Sequence, residues 1–339
     1  MKAFSFVFLL FIPCFFVWHI VLEFPAASSI QILKTTEKSQ IELKDDPVLL
    51  TNILFQSTDG GHTWQDISQG LPENLQDIGF YAGDSELYLH NKKGMYRSKE
   101  IFKKPVWEKV NFIDQGSNEI AFGVNKVFAY NYDGRIFQKL NLTGMWVPIF
   151  PNFKKKLVRT IFETNQGNVF VGCDSGLYKS ADNGKTWKNV LAEGWVMKIV
   201  ESKGVLLATS QKGIIRSTDG GENWDLVVSE GGVGISVEAI EGGFAAITYN
   251  TKSKTRRMRI SADSGKTWFP VDENLPASES IASIKKVGKY LICGHPDGIF
   301  LTSDKGKSWN MVLPSIDKKV FNLYTSKNVI YAVSRNFGC

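Results

Sequence analysis

Short apolar runs alternate with polar turns along most of this chain. "VRTIFET" (158–164) and "NVFVGC" (168–173) are rich in β-branched and aromatic residues and are parted by Asn165-Gln166-Gly167. A third run, "GLYKSA" (176–181), follows a two-residue gap, and a fourth, "TWKNVL" (186–191), follows a polar turn. Runs of this length, bounded by turn residues, read as antiparallel strands joined by tight hairpins. The same four-run pattern returns downstream, as in "SIKKVGKYLICGHPDGIFLTSDKGKSWNMV" from Ser283.

The turn before the fourth run is written five times as Ser/Thr-x-Asp-x-Gly-x-x-Trp. The copies are "STDGGHTW" ending at Trp64, "SADNGKTW" at Trp187, "STDGGENW" at Trp224, "SADSGKTW" at Trp268 and "TSDKGKSW" at Trp309. Two eroded copies, around Trp107 and Trp146, fill the long gap after Trp64. The seven tryptophans are then spaced by 43, 39, 41, 37, 44 and 41 residues. A period of roughly 40 is the length of one four-stranded propeller blade. The first copy is preceded by one convincing strand, "NILFQS" (52–57). After Trp309 the chain supplies two more, "VFNLYTS" (320–326) and "VIYAVS" (329–334). Joined, they complete a blade from both ends and leave no half-blade with unpaired backbone. The expectation is an all-β chain forming one seven-bladed propeller over residues 51–339.

Each motif residue has work in a tight hairpin. The aspartates (Asp59, Asp182, Asp219, Asp263, Asp304) can accept N–H bonds across the turn. The glycines supply a backbone angle that bulky residues resist. The tryptophans (Trp64, Trp187, Trp224, Trp268, Trp309) offer a large apolar face. Five symmetric copies suit structure rather than one active site. The pattern resembles the Asp-box, or bacterial neuraminidase repeat. That resemblance implies structural turns on the face opposite the loops where propeller ligands bind.

The N-terminus is read separately. Met1-Lys2 and the apolar run Ala3–Trp18 precede small residues at Ala26, Ala27 and Ser28, the form of an export signal or signal anchor over 1–28. A linker over 29–50 follows. The propeller is therefore expected outside the cytoplasm, touching membrane only through an uncleaved segment. Cys173, Cys293 and Cys339 leave an odd number of cysteines beyond Cys14, with no metal spacing. The histidines are scattered, so no metal or cofactor is expected. A formal charge of +6 permits an anionic partner without requiring one. Interleaved aromatic and basic strands for nucleic acid are absent.

Candidate binding residues lie in loops. "TYNTKSKTRRMR" (248–259) is read as an inserted loop carrying Lys252, Lys254, Arg256 and Arg257. "FPNFKKKLVR" adds Lys154, Lys155, Lys156 and Arg159, and "LAEGWVMK" holds Trp195 outside the repeat series. The basic groups are expected to converge around the channel mouth. The leading functional reading is a non-enzymatic, monomeric binding scaffold for a protein or glycan, anionic ones included. The resemblance also implies an alternative, since Asp-box propellers include sialidases and endoglucanases. The Arg-Ile-Pro segment usual in sialidases has only "GRIFQ" from Gly134 as its nearest text. Asp133, Glu163, Asp174 and Asp297 are the carboxylates such a hydrolase would draw on. Photosystem-II assembly factors of Asp-box type, exported seven-bladed binding proteins, are similar in size and plan.

Overall fold

Alternating strands with two-residue hairpins need partners on both sides, and the chain finds them in seven four-stranded antiparallel sheets. The computed structural model describes residues 52–335, apart from 74, 76–77, 84, 92, 100–103, 111–118, 141–143, 150–152, 154–155 and 318. The segments expected to be an export signal (1–28) and a linker (29–50) lie outside the described residues. Blade 4 shows the plan: Val158–Glu163, Val169–Cys173, Gly176–Ser180 and Lys188–Leu191 follow one another from the inside outward. Gly176 opens the third strand at φ 118°, where a β-carbon would collide with the Leu191 carbonyl. Only glycine fits there.

Blade 1 is built from both ends of the sequence. Its order is Gln65–Asp66, Leu54–Ser57, Val329–Arg335, Val320–Ser326. The ladder pairs Leu54 with Val333 and Ser57 with Ile330, and Ser334 N–H donates to the Ile53 carbonyl at 2.8 Å. The innermost strands of blades 2, 3, 5, 6 and 7 are Gly79–Ala82, Glu119–Phe122, Ile199–Ser202, Gly231–Ile240 and Ser283–Val287. With those of blades 1 and 4, each touches the next until the ring returns to its start. Apolar side chains fill the spaces between blades. Phe170 and Leu177 of blade 4 pack with Ile199, Leu206 and Ile215 of blade 5. Hairpins between first and second strands, and between third and fourth, open on one face. The remaining hairpins and the blade-to-blade connectors form the other, here called the loop face.

The repeated turns are tied by their aspartates. Asp263 accepts from Lys266 N–H at 3.0 Å, Thr267 N–H at 2.9 Å and the Thr267 hydroxyl at 2.6 Å. Ser261 donates to Asp263 at 2.8 Å and accepts from Gly265 N–H at 2.9 Å. Trp268 closes the turn by donating its indole N–H to the Gly265 carbonyl at 3.1 Å. Trp64, Trp187 and Trp224 do the same in their turns, and all three are half-buried rather than fully enclosed. Trp309 differs by crossing to the Val271 carbonyl of blade 6 at 2.9 Å, and Trp107 by crossing to Ile67 of blade 1 at 3.0 Å. Ile67 and Val271 both stand three residues after a motif tryptophan, at the start of the two connectors that read "GLPENL" and "ENLP".

Donors around these carboxylates hold them below the usual range. The Thr186 hydroxyl and N–H bring Asp182 down to about 2. At Asp59 burial pushes upward, and donors from Thr63, Ser57 and His62 outweigh it, again giving about 2. A carboxylate lowered in the fold stabilises it above its unfolded value of about 3.9 and loses that contribution as pH falls through the folded value. Thermal melts should therefore drop steeply below about pH 4. An Asp263→Asn variant should show a shallower drop, and a profile identical to the parent would refute this linkage.

The segment 248–259 departs from its sequence reading. It is no inserted loop: the strands Gly243–Asn250 and Thr255–Ser261 stay paired to their tips, Tyr249 opposite Arg256 and Thr248 opposite Arg257. Only residues 251–254 turn. Arg256, Arg257 and Arg259 sit on a regular ladder, so length comes from longer strands rather than loose chain.

Candidate functional site

Four side chains meet on the loop face where blades 3, 4 and 5 adjoin. Tyr132 lies in the second-to-third-strand hairpin of blade 3, and Asp174 in the corresponding hairpin of blade 4. Arg159 begins blade 4's innermost strand, and Trp195 sits in the connector to blade 5. Backbone hydrogen bonds fix these segments to one another. Val158 N–H donates to the Tyr132 carbonyl at 2.9 Å, Asp174 N–H to Leu157 at 3.2 Å, and Val196 N–H to Cys173 at 3.1 Å.

The Arg159 guanidinium is bidentate on Asp174, through Nε to Oδ1 and through Nη2 to Oδ2 at 3.1 Å. Nη2 also donates to the Tyr132 hydroxyl at 2.8 Å, which in turn donates to Asp174 at 2.9 Å. The Arg159 hydrogen bond holds the Asp174 carboxyl below its ordinary range. Burial, reinforced by Asp174, raises the Tyr132 phenol. The guanidinium carbon lies 5.1 Å from the Tyr132 ring centroid and 5.7 Å from that of Trp195. Both rings remain open to solvent, at 42% and 39% exposure. Among the described residues, Arg159 Nη1 and Trp195 Nε1 make no hydrogen bond.

The other predicted basic residues go elsewhere. Lys156 donates to the Tyr178 hydroxyl at 3.0 Å, while Lys154 and Lys155 lie outside the described residues. Arg257 is bidentate on Asp272 of its own blade, at 2.8 and 3.1 Å. Arg256 donates to the Ile281 carbonyl at 2.7 Å, and burial lowers its guanidinium from the ordinary value. Arg259 pairs with Glu230. Lys252 and Lys254 stand exposed on the turn. Among the described residues, Arg159, Arg256 and Arg257 of the expected basic group face carboxylates or carbonyls nearby, and blade 5 separates those of blade 4 from those of blade 6. A sequence displays the basic run and hides partners that stand some 15 positions away, as Asp272 does from Arg257.

The four carboxylates a hydrolase would use are also dispersed. Asp174 is committed to Arg159. Glu163 is buried at the far end of its strand, toward the opposite face, and pairs with Lys126 at 2.7 Å. Asp133 is exposed, and Asp297 lies beside the buried His295 at 3.4 Å. One group escaped sequence reading entirely. Glu238 on blade 6 is gripped by Lys198 of blade 5 and by Lys285 of blade 7, the latter at 2.6 Å. Cys173 and Cys293 are buried and free, and burial pushes the Cys173 thiol up to about 12. Among the described residues, no three His, Cys, Asp or Glu side chains are grouped to hold a metal.

No family model matches the sequence, and no curated protein matches it. Solved structures do resemble the fold. YCF48 bound to D1 peptide superposes with a TM-score of 0.54 at 14% identity, over 77% of this chain and 93% of that one. Virginiamycin B lyase from Staphylococcus aureus gives 0.56 at 13% identity, over 77% and 97%. An ancestral GH74 enzyme gives 0.56 at 14% identity, over 78% of this chain and 40% of the enzyme. At these identities the likeness is one of fold, a seven-bladed β-propeller shared by binding proteins and enzymes alike.

Proposed function

We propose that the chain is a non-enzymatic binding module of the Asp-box propeller kind, exported as its N-terminal sequence suggests, engaging a protein or glycan through the loop face. The observation that carries this reading is the Tyr132–Arg159–Asp174–Trp195 cluster, an exposed aromatic pair around a bidentate ion pair on a backbone tied at three points. Rigid aromatics with polar groups beside them are what recognition surfaces use. General acid catalysis instead needs a carboxyl kept protonated near neutral pH. Asp174 is held in the opposite sense. YCF48, one of the structural neighbours, carries a bound peptide, which supports protein recognition on this scaffold. The GH74 neighbour supports the glycan side and, with it, the alternative of hydrolysis.

Turnover separates the two. Purified protein incubated with sialosides and with α- and β-linked glucans should release no reducing ends above a blank. Release that vanishes in an Asp133→Asn or Asp174→Asn variant would replace the binding reading with a glycoside hydrolase.

A further inference from the structure

We infer that the Tyr132–Arg159–Asp174–Trp195 cluster is a subsite for an uncharged sugar ring of an oligosaccharide, an inference that rests on the binding-module reading above. Charge decides first. Arg159 is matched by one carboxylate in a bidentate pair. An incoming anion would have to approach Asp174 as well, and an incoming cation would meet Arg159. A neutral ligand faces neither penalty.

Shape decides next. A pyranose presents a flat patch of C–H bonds on its face and hydroxyls around its edge. The exposed Tyr132 and Trp195 rings, 5.1 and 5.7 Å from the guanidinium carbon, offer apolar platforms. The groups still able to bond are Arg159 Nη1, the Trp195 indole N–H and the remaining lone pairs of Asp174. Two donors beside an acceptor match adjacent hydroxyls, each of which both gives and takes a hydrogen bond. Trp195 is distinctive in this respect. The indole N–H groups of Trp64, Trp107, Trp187, Trp224, Trp268 and Trp309 are all spent on backbone carbonyls. The backbone ties mean little conformational freedom is lost when a ligand docks.

Saturation-transfer NMR and calorimetry on the full chain test this with five uncharged probes: cellohexaose, maltohexaose, laminarihexaose, mannohexaose and a xyloglucan heptasaccharide. At least one should bind, with affinity constant within about twofold between about 50 and 500 mM sodium chloride. Trp195→Ala should weaken it at least about tenfold, and Trp195→Phe should restore part of the loss. Both variants change an exposed side chain, and their unchanged melting would confirm intact folding. Asp174→Asn should free the guanidinium and admit hexagalacturonate, which the parent excludes. If none of the five probes binds, or binding survives Trp195→Ala, the inference is overturned. Salt-sensitive binding of an acidic peptide in place of sugars would overturn it too, while leaving the binding-module reading intact. Turnover of a probe would overturn that earlier reading instead.

Discussion

Replacing Glu238 with alanine should destabilise the propeller by about 3–5 kcal/mol, because it removes one carboxylate from between two lysines. Lys198, Glu238 and Lys285 come from three successive blades, so the carboxylate links blade 6 to both neighbours. Burial alone would raise the Glu238 carboxyl, and the two ammonium groups overcome it and hold it lowered. Burial pushes Lys285 down, against the pull of Glu238. Without the carboxylate, Lys285 keeps its desolvation cost and faces Lys198 alone. Its pKa should sink further, so below about pH 10 the unfolded chain binds more protons than the folded one over a wider range. Stability of the variant should then climb as pH rises toward about 10, over a wider range than in the parent, where Lys285 is lowered less. Urea denaturation across pH measures this directly. A Glu238→Leu, Lys285→Met double variant should recover most of the loss, since well-packed apolar groups can replace a buried pair. A single variant as stable as its parent would show that water, not the carboxylate, solvates these lysines.

Trp107→Ala should be comparably damaging, at about 3–5 kcal/mol. Trp107 is 9% exposed and packs with Ile67, Leu71 and Leu89 between blades 1 and 2. Its indole N–H holds the Ile67 carbonyl in a buried hydrogen bond. Truncation opens a cavity and orphans that carbonyl together. Trp107→Phe retains most of the ring and should lose only about 1–3 kcal/mol, the cost of the unpaired carbonyl. Trp224→Ala, at a half-buried indole bonded within its own turn, should cost less than Trp107→Ala. Reversal of that order in chemical denaturation would mean that the turn, not the blade junction, is the weaker point.

The architecture was legible because each blade spends its residues locally. Hairpin partners stand a few positions apart, so alternation, turn residues and the recurring tryptophan show both strands and period. Even the eroded copies at Trp107 and Trp146 fall where a fourth strand begins. Closure could be read because leftover strands at both ends had to add up to one blade. The site was far less legible. Trp195 stood out by being off the period, but nothing in the sequence marks Tyr132, which lies in a hairpin turn beside Asp133. Asp174 looked like a free acid until Arg159 was seen across the hairpin. Lys198 and Glu238 are 40 positions apart and join only through the ring. In the basic run at 252–257 the partners of Arg256 and Arg257 were hidden for the same reason: charge is written in the sequence, and what it pairs with is a tertiary fact.

The antiparallel closure of blade 1 has a mechanical side. Leu54 pairs with Val333, so residues 52 and 335 leave the ladder at the same end. A tensile load applied at those two residues does not shear the closing strands along their length. It concentrates on the outermost rung and peels the ladder open one hydrogen bond after another. The seam that completes the ring is therefore compliant to tension across its ends, while the six continuous blades bear no load until it has parted.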